Sequence, residues 1–246
     1  MSRRVRIFLA FMILLGLWQG MALFIQNDII LPRPVHVLMT MLTQLREPLF
    51  YSAVIHTLIR ICGGFLFAFF AALCFSFVTY FYPVFADLCY PFLLLTRSIP
   101  NISYILIVLL WCSPQTSVIV ISFLILFPTL YATLYQGLCD VPQGYHDLMK
   151  IYPGSKCFDV FYVYLPFLRP YLFSSTSAGL SLALKVGIMA EILGQSAIGI
   201  GRQLNICRSN LDMGGVFAWT LWIICILSLL DRIISQLQKL AMWEKK

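Results

Sequence analysis

Long apolar runs separated by short polar breaks dominate this chain. Five of them, residues 5–25, 57–81, 117–138, 168–193 and 213–230, reach the roughly 20 residues that a helix needs to cross a bilayer. A sixth crossing is expected within residues 84–112, where Pro91, Arg97 and Pro100 interrupt an otherwise apolar stretch. Arg97 is costly at mid-bilayer, and proline cannot continue a helix without losing a backbone bond. Residues 85–96 are therefore expected near the cytoplasmic surface, with the crossing starting around Ser98. The pattern predicts an all-α membrane protein of about six transmembrane helices, forming one domain over residues 1–246.

Composition supports the bilayer as solvent. Of 246 residues, 61% are hydrophobic and 11% charged, with a mean hydropathy of +0.89. A soluble domain carries about 25% charged residues. The net charge of +7 lies in short runs between apolar stretches, not on one basic face, which excludes a nucleic-acid partner and leaves membrane lipid as the surroundings. Arg3, Arg4, Arg6, Arg97, Lys150, Lys156, Arg169, Arg232, Lys239, Lys245 and Lys246 fall on one side of the predicted spans; Arg33, Arg46, Arg202 and Arg208 fall on the other. The positive-inside bias then predicts both termini in the cytoplasm. The first run is longer than a secretory h-region and lacks a convincing cleavage site, so it is expected to remain as a span. The eight cysteines have no metal-ligand spacing and behave as small hydrophobes. His36, His56 and His146 are scattered and suggest no metal site.

Two connections are long. In residues 26–56, Leu31-Pro32-Arg33-Pro34 precedes a segment of helical apolar spacing. The inner connection, residues 139–166, mixes Asp140, His146, Asp147, Lys150, Lys156 and Asp159 with five aromatic residues. Pro142-Gln143-Gly144 starts a helix running through Tyr152. Pro153-Gly154 makes a turn, and Ser155 caps a second helix over 156–164. Leu165-Pro166 closes it. Short helices with aromatic anchors suit a groove on a partner protein or the membrane surface.

Within the spans, ionisable residues are functional candidates. Lys185 and Glu191 lie about 120° apart around a helix, so they make no simple intrahelical pair. Lys185 is placed to attract an anionic solute, hold an interface, or pair with a neighbouring helix. Glu191, near the outer end, suits an interface, a gate or solute contact. Ser177 and Ser181 on the same span serve close helix packing or a polar pathway. Arg60, at the outer edge of its span, is expected to reach the headgroups.

The segment Asp147-Leu148-Met149-Lys150-Ile151-Tyr152-Pro153-Gly154-Ser155-Lys156, followed by Leu165-Pro166 and Pro170, resembles the EAA loop of ABC-importer permeases. Asp147 takes the Glu position, Leu148 and Met149 the Ala positions, and Pro153 the Gly position. Gly154 takes the next small-residue position. Leu31-Pro32-Arg33-Pro34-Val35, residues 57–65 from Thr57 to Phe65, Arg97-Ser98-Ile99-Pro100, Ala190-Glu191 and Gly199-Ile200-Gly201 are similar to motifs of that family's nitrate/sulfonate/taurine-type branch. The resemblance implies a type I ABC-importer permease fold in a bacterial inner membrane. It implies a coupling loop carrying Asp147, Lys150, Pro153, Gly154, Ser155, Lys156, Phe158 and Pro166. It implies two cytoplasmic ATPase subunits that hold ATP and Mg, a second permease subunit (a homodimer), and an external substrate-binding protein or lipoprotein. This chain has no phosphate-binding G-x-x-x-x-G-K-[ST] and is expected to bind no cofactor and catalyse nothing. The solute is expected to be a small organic or inorganic anion or a vitamin precursor. A secondary transporter would instead rely on embedded carboxylates or inverted repeats, and a membrane enzyme on a nucleophile with its base.

Overall fold

The computed structural model describes residues 3–152 and 155–243. The expected turn at Pro153 and Gly154 lies outside them, as does the side chain of Lys156. Among the described residues the chain is helical throughout: α1 (Arg3–Ile25), α2 (Pro34–Gln44), α3 (Pro48–Phe81), α4 (Pro83–Ser98), α5 (Asn101–Trp111), α6 (Pro114–Cys139), α7 (Gln143–Ile151), α8 (Lys156–Asp159), α9 (Leu165–Leu193), α10 (Ile200–Ser209) and α11 (Met213–Trp243). A π-helical turn, Val160–Tyr164, joins α8 to α9. Five helical segments are long and apolar enough to cross a membrane, and a bent pair, α4 with α5, makes a sixth candidate.

Boundaries follow proline and capping chemistry. Pro34, Pro48, Pro83 and Pro114 each open a helix, where the missing N–H costs nothing. The Ser113 hydroxyl accepts from the Thr116 amide at 3.4 Å and caps α6. Helix α3 begins at Pro48, earlier than residue 57, and its 34 residues extend about 50 Å. Helix α11 continues past Leu230 to Trp243, which brings Asp231 inside a candidate span.

The α4–α5 pair bends by 97°. The break falls at Ile99–Pro100, close to the expected Ser98. Thr96 and Ile99 border the same cavity as Pro128, which lies in the middle of α6. Because α5 has 11 residues, or about 16 Å of rise, it is too short to cross alone.

Helices α3, α6 and α9 form the core, with Ala53, Ala68, Leu126, Leu134, Leu168 and Ala183 all inaccessible. Association of helices in lipid depends on close packing, so small residues mark the crossings. A Cβ on Gly64 would lie 2.7 Å from Ser122 Cβ and 3.2 Å from the Ile119 carbonyl oxygen, whereas one on Gly63 meets nothing within 4 Å. At the opposite margin, α1 touches the bundle through Trp18, which stacks on Phe217 with centroids 5.6 Å apart and donates to the Pro32 carbonyl at 3.1 Å.

These adjacent glycines should respond oppositely. Gly64→Ala is expected to destabilise the purified protein by about 1–3 kcal/mol through overpacking. Gly63→Ala should be neutral or stabilising by up to about 1 kcal/mol through helix propensity. Thermal unfolding in one detergent compares them directly.

Candidate functional site

The connection between α6 and α9 is tied down at its neck. Asp140, the C-cap of α6, accepts from Gln136 Nε2 at 2.9 Å and from the Tyr171 hydroxyl of α9. Gly137 makes room for that contact, since a Cβ there would lie 2.6 Å from the Tyr171 ring. Beyond the neck, Tyr145 of α7 meets Phe167 of α9 edge to face at 4.7 Å. The outward surface of α7 carries exposed Leu148, Ile151 and Tyr152. Asp147 and Lys150 form an exposed i,i+3 pair at 3.4 Å, a geometry that solvent largely screens.

Ser155 Oγ accepts from the Phe158 amide at 3.3 Å, the capping role its position predicts. The second helix differs from expectation. Four residues of α8 give way to the π turn, and the chain enters α9 without a stop at Leu165-Pro166. Pro166 has no N–H to complete the ordinary ladder, and the Leu165 amide instead bonds the Val160 carbonyl five residues back. Phe158 and Tyr162 stack at 4.3 Å, and together with Phe161 they present an exposed aromatic surface. Tyr164 points the other way, buried against Phe81 and Tyr80 of α3 at centroid distances of 5.5 and 5.4 Å.

A second polar cluster lies at the far end of α9. Glu191 is wholly buried. Its carboxylate accepts from Thr57 Oγ1 at 2.8 and 3.0 Å, from Arg60 Nη1 at 2.9 Å and from the Gly201 amide at 3.0 Å. Thr57 Oγ1 in turn accepts from the Ile200 amide at 2.8 Å, and Arg60 Nη1 also donates to the Ile198 carbonyl at 2.6 Å. The carboxylate thus sits at the amino end of α10, where helix amides and dipole favour an anion. Gly199, at φ +154°, leaves the space: a Cβ there would lie 2.5 Å from Glu191 Oε2. Arg60 turns inward to this pair, with its side chain 12% exposed, and does not reach for headgroups. Glu191 itself has no face open to a pathway within the chain.

The other pathway candidates separate. Ser177 and Ser181 face Asp231 of α11, with Ser177 Oγ donating to Oδ1 at 3.2 Å and Ser181 Oγ approaching at 3.5 Å. Lys185 is exposed in mid-helix and makes no hydrogen bond or ion pair among the described residues. Asp231 lies one residue beyond the expected span 213–230; the apolar spacing that runs on through Ile233, Ile234 and Leu237 is the signal for the longer helix. Among the described residues, no group of three His, Cys, Asp or Glu is placed to hold a metal ion.

Residues 64–241 match the family described as the binding-protein-dependent transport system inner membrane component. This chain belongs to that family. It is the permease subunit of an ABC importer, a multi-pass protein of the inner membrane, and ATP hydrolysis lies in a separate subunit. Its system includes an ATPase and a binding protein. The chain is similar to the formylaminopyrimidine transport permease protein ThiX of Halalkalibacterium halodurans, with 24% identity over 97% of this chain and 95% of that one. It is also similar to a protein named as an ABC transporter permease in Methanocaldococcus jannaschii, 27% identical over 93% of this chain and 88% of the relative. A third such protein, in Haemophilus influenzae, is 27% identical over 69% of each chain.

The Glu191 cluster of this permease yields a double-mutant test. Glu191→Gln leaves Arg60 facing a neutral amide in a mostly dry site and should cost about 3 kcal/mol. Arg60→Gln combined with Glu191→Gln should cost clearly less than the sum of the two single changes. Thermal unfolding of the four proteins in one detergent measures the coupling.

Proposed function

We propose that residues 139–166 are the surface through which ATPase closure drives this permease, within a single transmembrane domain spanning residues 1–246. The observation that carries the reading is the exposed aromatic surface of Phe158, Phe161 and Tyr162 beside α7. Exposed apolar surface of this kind marks a contact with a partner protein or the membrane surface. Asp147, Lys150, Pro153, Gly154, Ser155 and Lys156 would edge the contact, and Pro166 would set the junction with α9. Movement of α7 would pass to α9 through Tyr145–Phe167 and to both α6 and α9 through Asp140–Tyr171. Burial of Tyr164 would carry it to α3.

In the assembly we propose, two permease copies sit on two ATPase subunits, which hold ATP and Mg. Both termini face the cytoplasm, and a binding protein or lipoprotein delivers solute from outside. Lys185, Ser177 and Ser181 contribute polar groups to the pathway, while Glu191 clamps its outer end. For the solute, two readings have support. Motif similarity to the nitrate/sulfonate/taurine-type branch favours a small anion; similarity to a formylaminopyrimidine permease favours an aminopyrimidine such as a vitamin precursor. We favour the second, because that similarity covers nearly the whole of both chains.

Co-expression with the ATPase and purification through a tag on the permease tests the coupling surface. Asp147→Lys and Phe161→Glu are expected to reduce ATPase recovery at least ~10-fold, the effect of losing about 1.4 kcal/mol. Tyr171→Phe should retain the ATPase but lower solute transport per ATP hydrolysed. Recovery of no ATPase with wild type, together with ion-gradient-driven transport by the chain alone, would replace this reading with a secondary transporter.

A further inference from the structure

Two oppositely charged side chains lie inside neighbouring candidate spans, and neither has an ion-pair partner among the described residues. Lys185 is about 12 Å from the end of α9 at Leu193, and Asp231 about 27 Å from the start of α11 at Met213, at 1.5 Å per residue. Leu184 and Val186, on either side of the lysine, are 1% and 4% exposed. Lys185 itself and Met189, one turn on, are exposed, so the lysine stands on a face of α9 that the core leaves uncovered. Asp231 is half-buried, and its Oδ1 meets Ser177 Oγ at 3.2 Å and Ser181 Oγ at 3.5 Å. Two hydroxyls compensate weakly for a carboxylate drawn out of water, since a buried charge is ordinarily paired.

Helical spacing supplies the missing cation. Ser177, Ser181 and Lys185 follow one another at i, i+4 and i+8 on α9, and residues four apart on a helix have Cβ atoms about 5–6 Å apart. Long helical side chains lean toward the N-terminus, over the preceding turn. Lys185 therefore leans toward Ser181, the residue that Asp231 approaches. A flexible four-carbon stem covers the remaining turn, so the pair forms with a change of rotamer and a small approach of α11 to α9. Arg232 follows Asp231 in sequence, but adjacent residues on a helix point about 100° apart, and the two make no ion pair.

We infer that Lys185 and Asp231 form a switchable ion pair between α9 and α11, open in this conformation and closed in another conformation of the transport cycle. This rests on the pathway reading of Lys185 given above. Closure adds a charged bond to the Ser177–Asp231 contact and withdraws the lysine charge from the pathway. Opening presents that charge to water and leaves Asp231 with its serines. Helix α9 continues directly from the 139–166 loop, so a movement that begins at the loop changes the placing of Lys185 against α11.

Reductive methylation of the permease–ATPase complex in nanodiscs, read at Lys185 by mass spectrometry, tests the pair in nucleotide-free and vanadate-trapped states. In wild type the modification of Lys185 is expected to differ at least ~10-fold between the two states, the ratio that a shift of about 1.4 kcal/mol gives. Asp231→Asn should abolish the protected state, leaving Lys185 modified in both. Asp231→Glu, which keeps the carboxylate, should preserve the difference. Equal modification of wild type in both states, or protection that survives in Asp231→Asn, overturns the pair while leaving Lys185 in an aqueous path. Lys185 unmodified in every state and variant removes the pathway reading, and the pair with it.

Discussion

A carboxylate buried near one end of a membrane helix must be neutralised from inside the protein, and meeting that demand joins three distant parts of this chain. Glu191 draws Thr57 and Arg60 from α3 and the Gly199–Gly201 turn from the start of α10. Each partner is itself engaged elsewhere, Thr57 by the Ile200 amide and Arg60 by the Ile198 carbonyl. The register of α3 against α9 is therefore fixed at one end by charge. Along the rest of their length it is fixed by shape, through Gly179 and Gly187 of α9, whose missing side chains admit Phe65 and Ile61 of α3. Electrostatics and packing act together: a shift of α9 along α3 would break the ion pair and drive side chains into the space these glycines leave.

Much of this architecture is legible as pattern. Apolar runs reveal the spans because helix formation and lipid exposure are local properties of about 20 consecutive residues. Proline and serine mark several helix starts for equally local reasons, as at Pro114 and Ser155. What escapes the sequence is what depends on distance. Thr57, Arg60, Glu191 and the Gly199–Gly201 turn occur as separate motifs, yet nothing in their spacing says that they meet across some 131 residues. Arg60 alone looks like a headgroup anchor, since an arginine near a span end ordinarily snorkels. Its partner changes that outcome. Asp140 and Tyr171 likewise acquire their relation only when α6 and α9 lie side by side.

The two polar ends of α9 are built on different principles. The Glu191 end is dry, with its hydrogen bonds closed within the chain. The end carrying the 139–166 loop has exposed aromatic residues, a lightly held Asp147–Lys150 pair and contacts that fasten only its neck. Between them stand Lys185, exposed in mid-helix, and Asp231, half-buried with one carboxylate oxygen engaged by Ser177. In lipid such groups are costly; facing water or a second chain they are tolerable. Their position is consistent with a helix that has one side in a protein core and another toward an aqueous path, as a permease requires.

The π turn at Val160–Tyr164 has a mechanical consequence. An α-helix resists compression along its axis, while a widened turn with shifted hydrogen bonds is a weaker spring in the same column. Placed in series between α8 and α9, it would dissipate part of any thrust arriving from below. The Asp140–Tyr171 bond and the Tyr145–Phe167 contact span the same interval in parallel with it. Springs in parallel add their stiffness, so under the coupling proposed above these side contacts would set how much of a stroke passes from the loop to α9.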